Sequence, residues 1–230
     1  MLIGALFPRR CPICDKAIRE EEYICPGCAV RIRPIQGEKC IKCGKSIPDG
    51  GNCVCYDCSR KIHYFDRGFA IFEYGDVKQS LYRFKYNGRA EYAAFYALAA
   101  EKEYGRILRG LKLDAIIPVP IHRKRLSQRG YNQAEELGRE LAKRINVPCI
   151  SDYVIRQKAT KPLKLLDEEE RINNLKKAFI IRSIGVKLKS VIVVDDIYTT
   201  GATVDSIAEV LRGDGVEKIY YLTVAIGKGL

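Results

Sequence analysis

Val191-Ile192-Val193-Val194-Asp195-Asp196-Ile197-Tyr198-Thr199-Thr200-Gly201-Ala202-Thr203 sets a buried strand, two carboxylates, a tight turn and a helix start into thirteen consecutive positions. Four β-branched residues without a polar interruption suit a central parallel strand covered on both faces. Ligands of open α/β sheets bind at the carboxyl ends of the strands, and the Asp pair stands at that end. The Thr-Thr-Gly-Ala-Thr turn leads into a helix, so several backbone N–H groups and the positive end of the helix dipole converge on a volume the size of a phosphate. Acids beside an anion cradle are self-defeating unless the ligand also brings hydroxyls and a divalent cation, both of which seek carboxylate oxygens.

A phosphate, vicinal hydroxyls and a metal-bound pyrophosphate together describe phosphoribosyl pyrophosphate (PRPP). The stretch resembles the PRPP-binding signature of type I phosphoribosyltransferases: four apolar residues, two acids, two variable positions, then Thr-Thr-Gly-x-Thr. The resemblance implies that Asp195 and Asp196 hold the ribose hydroxyls. It also implies that Thr199, Thr200, Gly201, Ala202 and Thr203 hold the 5′-phosphate, with Mg²⁺ bound alongside the ligand.

The formal charge of +12 favours anionic partners, although a lysine-rich solvated surface of the kind found in heat-adapted proteins gives the same balance. A hydrophobic fraction of 47% supplies a packed core. No apolar run approaches the ~20 residues of a membrane span. Met1–Phe7 is apolar but too short for a signal-peptide core, and its arginines follow it, so a cytoplasmic protein is expected.

Nine of the ten cysteines lie between Cys11 and Cys58. Four pairs have the Cys-x-x-Cys spacing that lets two thiolates reach one metal from a single turn: Cys11/Cys14, Cys25/Cys28, Cys40/Cys43 and Cys55/Cys58. Disulfides are disfavoured without a secretion signal, and iron–sulfur clusters use denser runs. Structural Zn²⁺ is the expectation, most simply as two sequential ribbons. Cys53 in place of Cys55, a crossed pairing or a single site remain compatible with the spacing. Four thiolates leave no open coordination position, so the metals are structural, and a segment this small and polar needs them to fold. His63, just past the knuckles, is read as a surface residue, with a substitute metal ligand the alternative. Tyr56, Tyr64 and Phe65 are read as covering the junction to the next domain, with base stacking the alternative.

Beyond this head, a strand is expected at Phe69–Tyr74. A helix follows at Val77–Tyr86, with Val77, Leu81 and Phe84 on one face. A basic turn at Lys85–Arg89, a helix at Glu91–Leu108 and a buried strand at Asp114–Val119 come next. Pro118-Val119-Pro120-Ile121-His122-Arg123-Lys124-Arg125 then reads as a basic loop at a strand end, where arginine forks suit pyrophosphate oxygens. A helix begins near Asn132. Arg156–Leu175 is basic, proline-containing and then acidic; it reads as a flap. Strands at Ala178–Ile181 and Val191–Val194, a helix at Thr203–Leu211 and a strand at Lys218–Ala225 complete an α/β pattern with helices on both faces.

A cysteine-knuckle head, Pro-Val-Pro-x-His-Arg-x-Arg, Arg129-Gly130-Tyr131-Asn132-Gln133-Ala134 and the Asp-Asp motif, in that order, resemble the ComF family: phosphoribosyltransferase-like proteins tied to natural competence, the uptake of DNA. The fold class expected is a type I phosphoribosyltransferase-like parallel sheet flanked by helices, over residues 63–230, behind a double zinc-ribbon domain over residues 1–62. The resemblance implies a pyrophosphate loop at Val119, Pro120, Ile121, His122 and Arg123. Arg125 and Arg129 are further PRPP ligands, with Arg156 and Lys161 as flap candidates. Asp195, Asp196 and Arg123 are the catalytic candidates. Three readings are compatible with the sequence: a phosphoribosyltransferase of unidentified acceptor, a PRPP sensor without turnover, and an accessory protein gripping single-stranded DNA alongside competence proteins.

Overall fold

In the computed structural model, residues 8–50, 52–157, 178–182 and 185–227 are described; the apolar start at Met1–Phe7 and the expected flap from Lys158 onward, Lys161 included, lie outside them. Along the chain come α1 (Pro26–Ala29), α2 (Tyr56–Ser59), β1 (Arg67–Glu73), α3 (Tyr74–Tyr86), α4 (Tyr92–Gly110), β2 (Ala115–Pro118), α5 (Arg123–Arg129), α6 (Gln133–Ile145), β3 (Val154–Arg156), β4 (Phe179–Ile181), β5 (Ser190–Tyr198), α7 (Ala202–Gly213) and β6 (Lys218–Ile226). Four strands form one parallel sheet in the order β1-β6-β5-β2, the two-sided burial anticipated for Val191–Val194.

Alternate residues of each strand feed two cores. Ile192, Val194, Leu222 and Phe69 face α3, α4 and α6, among Leu81, Phe84, Tyr96 and Leu137. Val191, Val193, Tyr221 and Ala115 face the other way, towards α7, β3–β4 and the second cysteine knuckle pair. Among the described residues, the second face is therefore covered by α7, the β3–β4 pair and the second cysteine ribbon.

The two cysteine ribbons repeat one another. Backbone bridges Arg10↔Ala17 and Lys39↔Ser46 close the two knuckles, and α1 and α2 carry the second cysteine pair of each. Together they straddle the β1 edge of the sheet. Residues of the first ribbon, Ile13, Tyr23 and Ile24, pack on the helical face. The second ribbon packs on the opposite face, and between them Ile35 N–H donates to the Ile71 carbonyl of β1 at 2.8 Å. An exposed strand edge is thereby occupied. Gly68 allows this approach: a Cβ there would lie 2.1 Å from the Tyr221 ring and 2.6 Å from the Lys42 carbonyl.

The structure corrects several sequence expectations. Arg123–Arg129 is a helix, not a loop; His122 caps its N-terminus by accepting from Lys124 N–H, and Gly130 ends it in the left-handed region. Phe179–Ile181 does not join the parallel sheet but pairs antiparallel with Val154–Arg156, a strand the sequence reading missed. Tyr74 opens α3 instead of closing β1. β5 continues to Tyr198, so the Asp pair sits inside the strand rather than after it. Replacing Gly68→Ala is expected to lower the melting temperature, with a cost of about 1–3 kcal/mol from overpacking against Tyr221; circular dichroism melts measure it.

Candidate functional site

The cleft arises because β2 stops short of β5. Pro118↔Val194 is the last paired register, and Val119 N–H then donates to the Val194 carbonyl at 2.9 Å. Beyond it the chain departs through Pro120–His122, leaving Asp195–Tyr198 paired with β6 on one side only. A cavity of about 150 Å³ opens on the other side, lined by Asp195, Asp196, Val119, Pro120, Ile121, Arg125, Arg129, Asn132, Gln133, Ala134, Arg156, Lys85 and Thr203. Among the described residues, four cations there face two carboxylates, an excess that suits a polyanion.

The residues of the Arg129–Gln133 stretch brace this cavity. Asn132 caps α6 and donates its side-chain N–H to the Val119 carbonyl at 3.0 Å, fixing the strand-end loop. Gln133 and Tyr131 both donate to the Phe84 carbonyl, holding the end of α3. Arg129 donates to Gln133 Oε1 at 2.8 Å and lies 5.0 Å from the Tyr86 ring. The end of α3 thus brings in Lys85, whose Nζ lies 3.0 Å from Asp196 Oδ2. Sequence reasoning missed Lys85. Its only signal was a basic residue in the last turn of a helix, one position past the buried Phe84.

The Thr199–Thr203 turn forms a second hollow, of about 20 Å³, lined by Thr199, Gly201, Ala202 and Thr203 together with Asp195. It adjoins the main cavity through Asp195 and Thr203. Gly201 is the N-cap of α7 at φ +81°, and a Cβ there would meet the Tyr198 hydroxyl at 2.4 Å, so glycine is required on two counts. Thr200 is exposed, with Oγ1 3.5 Å from Ala202 N. His122 and Arg123 do not line the cavity: His122 is used as the cap of α5, and Arg123 is exposed in its first turn.

A stack of rings supports the loop from below. Tyr198 lies 4.9 Å from Tyr221, nearly parallel at 6°; Phe65 meets Tyr221 edge-on at 4.9 Å, and His63 stacks on Phe65 at 4.6 Å. The Tyr221 hydroxyl donates to the Cys43 carbonyl at 2.6 Å. The His63 side chain is only 2% exposed and bonds Asp205, in the first turn of α7, at 2.9 Å. It is therefore not a surface residue; the carboxylate partner that buries it is 142 positions away in sequence. Phe65 does cover the junction, whereas Tyr56 and Tyr64 stand 70% and 42% exposed.

Asp195 bears a heavy electrostatic load. Burial, then the neighbouring Asp196 charge, pushes its carboxyl up to about 7. The unfolded carboxyl ionises near ~3.9, so between these values the folded state holds a proton that the unfolded chain has released, and stability falls as pH rises through that window. Asp195→Asn is accordingly expected to raise the melting temperature by several degrees at pH 8 and to change it little at pH 4, as read by calorimetric melts.

The cysteines gather as two sets of four, Cys11/Cys14/Cys25/Cys28 and Cys40/Cys43/Cys55/Cys58, with all sulfurs of each set within 4.8 Å of one another. Cys53 is exposed and outside both. Sulfur separations of 3.8 Å for Cys14–Cys25 and 3.6 Å for Cys43–Cys55 match the edge, about 3.8 Å, of a tetrahedron with Zn–S bonds of about 2.3 Å. Hydrogen bonds from Cys43 and Cys58 hold the Cys40 thiol far below its ordinary range, and their bonds to Cys40 push Cys43 and Cys58 far above theirs. A divalent cation would resolve this imbalance, since all four sulfurs bind it as thiolates. The first ribbon is tied to the site domain by Asp15, at φ +58°, which accepts from Arg89 Nε and Nη2 at 3.0 and 3.3 Å and from the Tyr92 hydroxyl at 2.6 Å. Elemental analysis is expected to find two zinc ions per chain, and Cys43→Ser to lose one of them together with much of the thermal stability.

Residues 2–59 match the family model described as a double zinc ribbon domain. With the sheet and the motif-bearing strand–turn–helix, this defines a phosphoribosyltransferase-like α/β protein with a double zinc-ribbon head. Competence protein F of Haemophilus influenzae is 31% identical over 204 residues, covering 85% of this chain and 87% of that protein. DNA utilization protein YhgH of Escherichia coli K12 is 28% identical over 213 residues, 91% and 86% of the two chains. The chain belongs to the ComF family. Among solved structures, a hypoxanthine phosphoribosyltransferase from Staphylococcus aureus overlaps 58% of this chain and 62% of its own at 19% identity and a TM-score of 0.37, too partial a likeness to carry an argument. Among the described residues, no helix is long and apolar enough to cross a membrane.

Proposed function

We propose that the cleft binds PRPP with Mg²⁺ and that the protein is a cytoplasmic phosphoribosyltransferase-like enzyme serving DNA uptake or utilization. The observation that carries this reading is the joining of two carboxylates to a glycine-capped helix start through shared walls of one cleft. Asp195 and Asp196 take the ribose 2′ and 3′ hydroxyls. The amides of Thr199–Thr203 take the 5′-phosphate, and Arg125, Arg129, Arg156 and Lys85 take the pyrophosphate. Asp195 and Asp196 would sit beside a Mg²⁺ that enters with the ligand, which would supply neutralisation of pyrophosphate charge.

Transfer would break the C1–O bond to pyrophosphate and form a bond from C1 to an acceptor, through an oxocarbenium-like state. The cations stabilise the charge that develops on the leaving group. A carboxyl titrating about 7 places Asp195 well to accept the acceptor's proton at neutral pH. Arg123, exposed on α5, reaches the pyrophosphate in this reading only if its side chain swings over the helix start, so its substitution is the milder one. The relatives named for competence and DNA utilization support the biological setting.

Calorimetry with PRPP and Mg²⁺ tests the binding. Heat of binding is expected for the natural chain, and its loss in Asp195→Asn with Asp196→Asn while the melting transition persists. Lys85→Ala is expected to weaken binding about tenfold, the loss of one charge-assisted bond of ~1.4 kcal/mol. Absence of heat from the natural protein, or full binding by the double variant, refutes the assignment.

A further inference from the structure

Between the second cysteine ribbon and β1 runs a short strap, His63–Asp66, that lies along α7 and grips it near both ends. At the far end Arg212 donates to the Tyr64 carbonyl at 3.2 Å and to Asp66 Oδ2 at 2.8 Å. Asp66 is fixed in turn to β6: its N–H donates to the Ile219 carbonyl at 2.7 Å, and Ile219 N–H donates to its Oδ2 at 2.8 Å. At the near end both holds fall on Asp205. The His63 ring bonds its Oδ2 at 2.9 Å, and Tyr64 N–H donates to its Oδ1 at 3.1 Å. Asp205 N–H closes the first turn of α7 on the Gly201 carbonyl at 2.8 Å. What moves Asp205 therefore moves the glycine cap and the amides of Ala202, Thr203 and Val204 between them.

The chemistry of His63 is not that of a packing residue. Nδ1 carries a ring proton here, because the carboxylate it faces only accepts. Nε2 is buried as well and, among the described residues, has no partner. A buried polar atom left without a partner is costly. The ring stacks on Phe65 at 4.6 Å, a contact that a phenylalanine would make without that cost. What imidazole adds over a hydrocarbon ring is the bond to Asp205.

We propose that His63 is a positioning residue for the anion end of the cleft: by holding Asp205 it keeps the first-turn amides of α7 aimed at a phosphate group of the ligand, without touching that ligand itself. The phosphate rests on the PRPP reading; the hold on α7 does not. The effect is local. Arg129 and Lys85 are placed by Gln133, Tyr131 and the end of α3, and Arg125 by α5, none of which belongs to the strap. Loss of the His63 bond therefore disturbs the seat of the 5′-phosphate and spares that of the pyrophosphate. The far end of α7 keeps its own anchor in Arg212 and Asp66.

The test titrates the full-length protein in calorimetry with two probes: ribose 5-phosphate, which seats its phosphate in the Thr199–Thr203 turn, and pyrophosphate with Mg²⁺, which meets the cations. His63→Phe keeps a stacked ring and loses the bond. It is expected to weaken ribose 5-phosphate about tenfold and to leave pyrophosphate unchanged. Its melting temperature is expected to stay within a few degrees of the natural chain's, because removal of the unpartnered Nε2 offsets the lost bond. His63→Asn, whose amide donates from near the Nδ1 position, is expected to recover the sugar-phosphate affinity, and Asp205→Ala to reproduce the loss. Hydrogen exchange is expected to quicken at Ala202–Asp205 in His63→Phe and not at the Arg212 end of α7. Unchanged exchange there, or equal affinity of His63→Phe and the natural chain for ribose 5-phosphate, overturns the proposal, as does an equal loss for both probes. A natural chain that binds neither probe nor PRPP, with exchange still quickened at the α7 start of the variant, removes the PRPP reading and upholds the hold of His63 on α7.

Discussion

The cleft of this molecule depends on an inequality of strand length. β5 outruns β2, and the hydrogen bond from Val119 to the Val194 carbonyl marks the point where they part. A strand in the middle of a parallel sheet normally has both its edges satisfied. Here the last residues of β5 are satisfied on one side only, and the other becomes the wall of a cavity. Polar side chains can occupy that wall because they remain in reach of solvent and of counter-charges. Asp196 pairs with Lys85, whereas Asp195 accepts from the Asp196 amide at 2.8 Å and is left hard to ionise by burial and the Asp196 charge. The strain is electrostatic rather than conformational, and it falls where an incoming hydroxyl or cation would relieve it.

The parts of the site legible in the sequence were those written contiguously. Val191–Thr203 carries its strand, acids, turn and helix start in one run, so periodicity and turn chemistry sufficed. The cysteine pairs were legible for the same reason, because a knuckle is a local object. What escaped was assembled from afar. Lys85 enters the cleft only because Tyr131 and Gln133 hold the Phe84 carbonyl, 47 and 49 positions away. His63 is buried by a carboxylate on α7, a partner no local pattern announces. The helix at Arg123–Arg129 was obscured by its charge: it has no buried residue and hence no hydrophobic period, and only its caps, His122 and Gly130, declare it. The β3–β4 pair failed for the opposite reason, since three-residue strands are too short to show alternation.

The two metal ribbons, though near copies, are used differently. At matching places in the two knuckles stand Asp15 and Gly44, both in left-handed backbone. The second ribbon needs glycine because Ala70 N would lie 2.6 Å from a Cβ. The first tolerates a side chain, and Asp15 uses its carboxylate to clamp Arg89 and Tyr92; the bonds from Tyr92 and Arg89 outweigh burial and keep it ionised below its ordinary range. At this position one ribbon makes close backbone contact and the other an ionic clasp. The aromatic pile from Phe65 through Tyr221 to Tyr198 then carries the position of the second ribbon to the floor of the Thr199–Thr203 turn.

Because Ile35 caps the β1 edge and the second ribbon supplies part of the core, the head is a structural wall and not a detachable bead. A fragment trimmed to the sheet would present a raw strand flank and the bared underside of Phe65 and Tyr221 to solvent, an invitation to self-association. Metal supply and colloidal behaviour are therefore bound to one another in this chain: what empties the ribbons also makes the remainder sticky.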